Sequence, residues 1–367
     1  MSALFRRFFD RLPVPVALTD GQLHLLSAVE LRAVQRTHRL AVTAAAGLSV
    51  VGFAAYFLPV YAAPELFPST TITFRGSEFA LPWAETLWGL LLMVLEIYVL
   101  VLLNVWGVHQ IAAAAGLLRP HNKAEVAGTL LDIGLENKHR GLLEYGIDPY
   151  LGMSKGLLFA LNLLLRLKGW LGSKLLRYAV QRLLGRFAVR EVLDFVGMPI
   201  YMAINAWSTH SVLHEAKVII MGQKLIEELC VRLPDDLVPD PADKALLYDT
   251  LRFIAVSKRD FHRNHYTLTR ALLGRYGIAV DPRKGSLDDY LARLAGASER
   301  LRRVAVLLIV LGFVLDGQLS WRERRRVRTL ATRGVFAFTA GEVKAMCRDF
   351  VRGAGVEGLL TRHLSPA

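Results

Sequence analysis

The 367-residue sequence predicts an all-α integral membrane protein with a two-helix transmembrane hairpin and a cytoplasmic helical bundle domain. Three observations carry that expectation. Two stretches of 24 and 23 residues, 40–63 and 86–108, are almost free of charge. The composition joins 53% apolar residues to a basic excess, 45 Lys+Arg against 32 Asp+Glu for a net charge of +13, a pairing suited to a membrane protein facing anionic lipid. Beyond residue 241 apolar residues recur at helical spacing, and strand-like alternation is nearly confined to Thr70–Phe74. Cys230 and Cys347 are too few and too far apart for a disulfide framework or a CxxC metal site, which suits a reducing compartment.

The first span runs from Leu40 to Ala63 without a charged residue. As a helix it covers about 36 Å, more than the roughly 30 Å hydrocarbon core. Pro59 falls in its last turn and Pro64 just beyond, where a missing amide hydrogen is tolerated. The second span, Thr86–Val108, is interrupted only by Glu96, and Tyr61, Trp88 and Trp106 stand near span ends as an aromatic belt requires. Residues 1–39 form a basic amphipathic lead-in with a capping-box pair, Ser27 and Glu30, ahead of a helix that runs on into the membrane. A cleaved signal peptide is not expected, because this long lead-in precedes the first apolar stretch.

Orientation follows from the basic residues. Arg6, Arg7, Arg11, Arg32, Arg36 and Arg39 precede the first span, and Arg119, Lys123, Lys138 and Arg140 follow the second. The 64–85 loop holds Arg75 beside Glu65, Glu78 and Glu85. Both termini are therefore expected on the cytoplasmic side and the loop outside. A third uncharged stretch, Phe195–Leu213, contains Pro199, Asn205, Ser208, Thr209 and His210, and is expected to be buried in protein or to dip into the interface rather than to cross. Val304–Leu315 is too short to span and reads as a core helix.

Glu96 is the most informative single residue, since a carboxylate at that depth costs several kcal/mol unless neutralised or bonded. It is expected to hold helices or protomers together, with Asn104, two turns on, as a fellow hydrogen-bonding group. A proton or cation relay is the alternative. Residues 109–232 are expected to form a helical, membrane-apposed basic region. Within it Arg166, Lys168, Lys174, Arg177, Arg182, Arg186 and Arg190 accompany a leucine-rich face suited to anionic headgroups. Residues 233–241, rich in Pro and Asp, read as a linker before a helical domain at 242–367. Its expected helices are 242–256, 266–276, 287–294, 298–315, 321–333 and 340–352, with capping-box pairs Ser286/Asp289, Ser320/Glu323 and Thr339/Glu342.

Several residue groups have spacings that suggest chemistry. His210 and His214, at i and i+4, and His262 with His265 have spacings compatible with metal binding, but no third ligand is evident. Asp316, Gly317, Ser320 and Glu323 imitate half of a calcium loop. With Glu323 at the twelfth position, Gly312 and Val314 fall where oxygen ligands are required, so calcium is rejected and a helix–turn–helix role remains. Arg322, Arg324, Arg325, Arg326 and Arg328 place five cations within seven residues, a solvated face or a surface for the inner leaflet or an acidic partner. No nucleophile elbow, phosphate loop or kinase motif set is present, and no cofactor or bound metal is expected.

The run VAVLLIVLGFVLDGQLSWRERRRVRTLATRG resembles the helix, Asp-Gly turn and Glu-bearing helix of TerB-like (tellurite-resistance type) helical domains, over roughly 298–355. The resemblance implies a cytoplasmic helical module linked to stress responses at the bacterial membrane. Acidic residues in such turns are associated there with metal binding. Only Asp316 and Glu323 match, and a second Asp-Gly copy is missing. Separately, DFVGMPIYMAINAWSTHSVLHEAKVIIMG resembles the Val-Gly-x-Pro and Asn-bearing helix of the EcsC-like family. A bacterial origin also agrees with 34 Arg against 11 Lys, as in a GC-rich genome.

These features together lead to the expectation of a membrane-tethered, non-catalytic interaction or stress-response protein of the bacterial inner membrane. It contacts anionic lipid or a partner protein through basic helices, with homo-oligomerisation possible and nucleic acid not expected. The alternative is a small transporter, channel or membrane-perturbing effector using Glu96.

Overall fold

The computed structural model describes residues 2–14, 26–74, 77–118, 122–135, 141–147, 190–258, 262–280 and 287–364. Among them lie twelve α-helices and one β-hairpin. The amino-terminal half contributes α1 (Ser2–Arg11), α2 (Ala28–Ala62), strands β1 (Thr70–Phe74) and β2 (Ser77–Leu81), α3 (Trp83–Ala114) and α4 (Lys123–Gly134). A 43-residue helix, α5 (Arg190–Arg232), follows. The carboxy-terminal domain holds α6 (Pro241–Lys258), α7 (Arg263–Tyr276), α8 (Leu287–Gly296), α9 (Glu299–Val314), α10 (Trp321–Thr332), α11 (Ala340–Arg352) and α12 (Glu357–Leu364).

Among the described residues, α2 and α3 are the two helices long and apolar enough to cross a membrane. The expected continuity is present: α2 starts at the Ser27–Glu30 capping box and runs unbroken through the lead-in and the first apolar stretch. Its partner α3 extends past the second stretch to Ala114. The hairpin between them pairs β1 with β2 antiparallel, Thr70 opposite Leu81, in agreement with the alternation at 70–74. Between the helices, the Tyr56 hydroxyl donates to Glu85 Oε1 at 2.7 Å and the Trp88 indole N–H donates to Ala55 O at 3.1 Å. Trp88 is thus a contact between helices rather than a free belt residue.

α5 packs along both α2 and α3. Its Asn205 meets Ser49 and Glu96, its Leu213 meets Gly107, and its Lys224 ammonium donates to Ala115 O at 2.5 Å. Hence α5 runs parallel to α3 and antiparallel to α2. A Cβ on Gly107 would lie 2.7 Å from Leu213 Cδ2, so glycine permits this approach. α1 places Phe5 and Phe9 against this assembly and leaves Arg6, Arg7 and Arg11 exposed. Its carboxy-terminal carbonyls accept from the Lys123 ammonium, Asp10 O and Leu12 O both at 2.7 Å.

Two apolar cores result, one from α1–α4 with Val212–Ile220 of α5 and one from the carboxy-terminal domain with Val218–Leu229 of α5. The division between them falls inside α5 and not at the Pro/Asp segment. That segment is itself packed: Leu233, Leu237 and Val238 are buried, Arg275 and Tyr276 donate to Leu233 O and Pro234 O, and Arg300 grips Asp236 bidentately. α9 is the central core helix, buried almost throughout from Leu301 to Leu315. Capping boxes at Ser320/Glu323 and Thr339/Glu342 open α10 and α11 as expected. Ser286 lies outside the described residues.

Candidate functional site

Two polar clusters hold the molecule together at different levels. The first joins the three long helices. Asn205 of α5 donates both amide hydrogens, one to Ser49 Oγ of α2 at 2.8 Å and one to Glu96 Oε1 of α3 at 2.6 Å. Gly52 faces the same carboxylate: a Cβ there would lie 3.7 Å from Glu96 Oε2. Asn205 and Ser49 are buried. Glu96 thus takes part in a contact between α3 and α5. Asn104 does not share that role, because its buried Oδ1 finds no hydrogen-bond partner among the described residues. Asn205 has it instead. The clue in the sequence was a carboxamide in an otherwise apolar stretch, a residue that lipid disfavours but a facing carboxylate satisfies.

The second cluster lies in the carboxy-terminal domain around Lys258, the last residue of α6. Its side chain is wholly buried, with Nζ 2.6 Å from Asp316 Oδ2 and 2.9 Å from Glu323 Oε1. It also donates to Gln318 O at 3.2 Å and Phe313 O at 3.4 Å. Burial pushes the lysine pKa down, but the two facing carboxylates outweigh it and the net shift is upward. The turn residues fall into place around this ion. Gly317 takes φ +72°, Asp316 Oδ1 accepts from the Gln318 amide, and Ser320 and Glu323 cap α10.

This geometry bears on whether the Asp-Gly turn could hold a metal. Both matching carboxylates and two backbone carbonyls converge on an ammonium, and a resident metal ion would have to displace it. The residues do not fit a metal here. Lys258 was missed in the sequence, although its spacing from Leu247, Leu251 and Ile254 places it on the buried face of α6. Nearby, burial foremost, with Asp316 adding to it, pushes the Cys347 thiol up to about 12, so it is inert as a nucleophile.

The histidine pairs are structural contacts. His38 of α2 stacks on His210 with ring centroids 4.8 Å apart, and His210 stacks on His214 at 6.1 Å. The rings lie face to face instead of aiming nitrogens at one point. Among the described residues no three His, Cys, Asp or Glu side chains are grouped to hold a metal. His262 accepts the Asn264 amide at Nδ1 and so caps α7, while His265 Nε2 lies 2.8 Å from Gly312 O. Asn264 donates to Val218 O and Leu315 O, tying α5 to the end of α9.

The α10 arginines divide. Arg322, Arg325 and Arg328 are exposed beside Trp321, itself 72% exposed. Arg324 donates to Leu319 O and the Arg326 guanidinium stands 5.9 Å from the Phe253 ring centre, so these two serve the domain's own packing. Arg166, Lys168, Lys174, Arg177, Arg182 and Arg186 lie outside the described residues. Arg190 opens α5, but its side chain is not described. No family model, curated protein or solved structure matches the chain.

Proposed function

We propose that this chain is a membrane-tethered, non-catalytic interaction or stress-response module of the bacterial cytoplasmic membrane, with both termini on the inner side. The observation that carries this proposal is α5. One unbroken helix takes part in both cores, so the carboxy-terminal domain is fixed relative to the apolar helices instead of hanging from a flexible tether. The outward faces of α2 and α3 suit lipid: Val51, Leu58, Leu87, Leu91 and Val94 are all more than half exposed. The domain resembles TerB-like modules in its Asp-Gly turn, with lysine as its resident cation.

The exposed face of α10, Trp321 with Arg322, Arg325 and Arg328, is the surface we assign to anionic headgroups. Each cation near such a surface contributes about 1 kcal/mol, so three amount to about 3 kcal/mol, roughly a hundredfold in occupancy. The test uses the full chain in nanodiscs of phosphatidylcholine with and without phosphatidylglycerol, digested with trypsin. Cleavage at Arg322, Arg325 and Arg328 is expected to slow with phosphatidylglycerol, and the protection to vanish at high salt. Equal cleavage in both lipids would overturn the assignment. A transporter or channel built on Glu96 is less well supported, because Asn205 engages that carboxylate as a link between helices.

A further inference from the structure

The depth of α5 has a topological consequence, which rests on the membrane placement proposed above. The apolar stretches 40–63 and 86–108 are centred between Val51 and Gly52 and at Ile97. Ser49 and Glu96 therefore lie within one turn of mid-depth. Asn205 is bonded to both, so it lies at mid-depth too. Carboxy-terminal to it, α5 descends with α3 through the Leu213–Gly107 and Lys224–Ala115 contacts to the inner side. Amino-terminal to it, the helix continues fifteen residues to Arg190. That length is about 22 Å, against a half-thickness of roughly 15 Å for the hydrocarbon core.

The distribution of side chains on α5 supports a lipid setting. Asn205 and Thr209 are buried at 3% and 0% exposure, whereas Trp207 is 66% and Ile200 39% exposed. Ile200, Ala203 and Trp207 share one helical face. Polar groups turned inward and apolar groups turned outward is the reverse of a surface helix in water, and it is what lipid around a bundle demands. Of the polar residues that made Phe195–Leu213 a poor lone span, Asn205 and Thr209 thus meet protein instead of lipid, whereas His210 is exposed and stacks on His38 of α2. Further down, the exposed Ser211 hydroxyl is satisfied by Trp207 O at 2.9 Å.

We infer that α5 crosses the membrane as a third spanning helix, its Ile200–Ala203–Trp207 face covered by acyl chains and its Asn205 face bonded to α2 and α3. On this placement Arg190, the first residue of α5, lies at the outer end.

Labelling intact cells with a membrane-impermeant maleimide tests this on the full chain. Arg190→Cys and Glu191→Cys are compared with Glu65→Cys in the loop between α2 and α3 and with Asp240→Cys after α5, each normalised to labelling after detergent denaturation. Native cysteines report the background. Labelling at 190 or 191 matching that at Glu65→Cys, with none at Asp240→Cys, is the expected result. Labelling at both positions as low as Asp240→Cys, while Glu65→Cys reacts, overturns the third crossing and leaves the hairpin intact. Loss of labelling at Glu65→Cys itself, or release of the chain by alkaline carbonate, overturns the membrane placement beneath it.

Discussion

The three long helices and the carboxy-terminal domain solve one problem, the burial of polar groups, in opposite ways. Beside Glu96 the Asn205 carboxamide bridges the carboxylate to the Ser49 hydroxyl, each hydrogen bond joining a different helix, and the outward surface is apolar. Around Lys258 a full ammonium is matched by two carboxylates and two carbonyls, and the outward surface is charged. From Pro241 onward, Val280 and Trp321 are the exposed large apolar side chains among the described residues, whereas α2 and α3 expose such residues along most of their length. On the proposed membrane placement, each core is matched to a medium. Where no water reaches the exterior, a polar contact inside helps specify the partner helix; where water surrounds the domain, apolar burial supplies the drive and the ion cluster fixes one turn.

The largest way to break this contrast is to remove the ammonium. Lys258→Ala leaves Asp316 and Glu323 buried without their cation, and breaking a buried pair in this way costs about 3–5 kcal/mol. Denaturant melting of the full chain in detergent is expected to show the carboxy-terminal transition moving to much lower denaturant. Lys258→Met with Asp316→Asn and Glu323→Gln, which removes all three charges, should recover much of the loss. A Lys258→Ala protein with near-native stability would mean that water already screens the cluster.

Helix positions in the domain were legible because each start carries its own chemical signal. Ala340–Arg352 was read to the residue from Thr339 and Glu342 ahead of an apolar period. α12, Glu357–Leu364, was not read, since eight residues give too little periodicity. The Pro/Asp segment was misleading for a tertiary reason. Asp235 and Asp236 look like a solvated hinge until Arg275 and Arg300, 40 and 64 residues further on, come to meet them. Likewise Glu96 announced a need for a partner, but nothing local could name one 109 residues away. Local propensity writes the elements; the identity of a buried polar partner is a property of the packing.

The next effect in size belongs to Asn205. Asn205→Leu removes the hydrogen bonds to Ser49 and Glu96, and interhelical bonds in lipid contribute about 0.6–1.7 kcal/mol each. Faster unfolding in sodium dodecyl sulfate is expected, together with earlier proteolysis of α5. If the variant unfolds like the native chain, α5 is held by apolar packing alone and the contrast between the two regions loses its first term.

Acid should act on the domain through its buried histidines. Burial, followed by neighbouring cations, holds His265 well below its ordinary value, and His363 is lowered for the same reasons. A histidine depressed in the fold binds fewer protons than in the unfolded chain, so its contribution is complete above about pH 6.5 and is lost as pH falls below that value. The slope approaches about 1.4 kcal/mol per pH unit for each fully depressed histidine. The melting temperature of the carboxy-terminal transition should therefore drop between pH 7 and pH 5, with a shallower slope in His265→Gln. A flat profile would show that neither ring stays neutral by burial.

The smallest expected effect is the sharpest test of what Glu96 contributes. Asn205 donates to one oxygen of that side chain, and a carboxamide oxygen accepts the same hydrogen bond. Glu96→Gln therefore preserves the link while removing any ionisable group. If the residue only joins helices, the variant should differ from the native chain by no more than about 0.5 kcal/mol in detergent unfolding, within the ordinary range for a substitution that keeps its contacts. Its assembly and proteolysis pattern should be unchanged, in contrast to Asn205→Leu. If ion or proton movement across reconstituted vesicles is present in the native chain and disappears in Glu96→Gln at equal stability, the carboxylate itself is the working part. The polar link would then be one state of a relay.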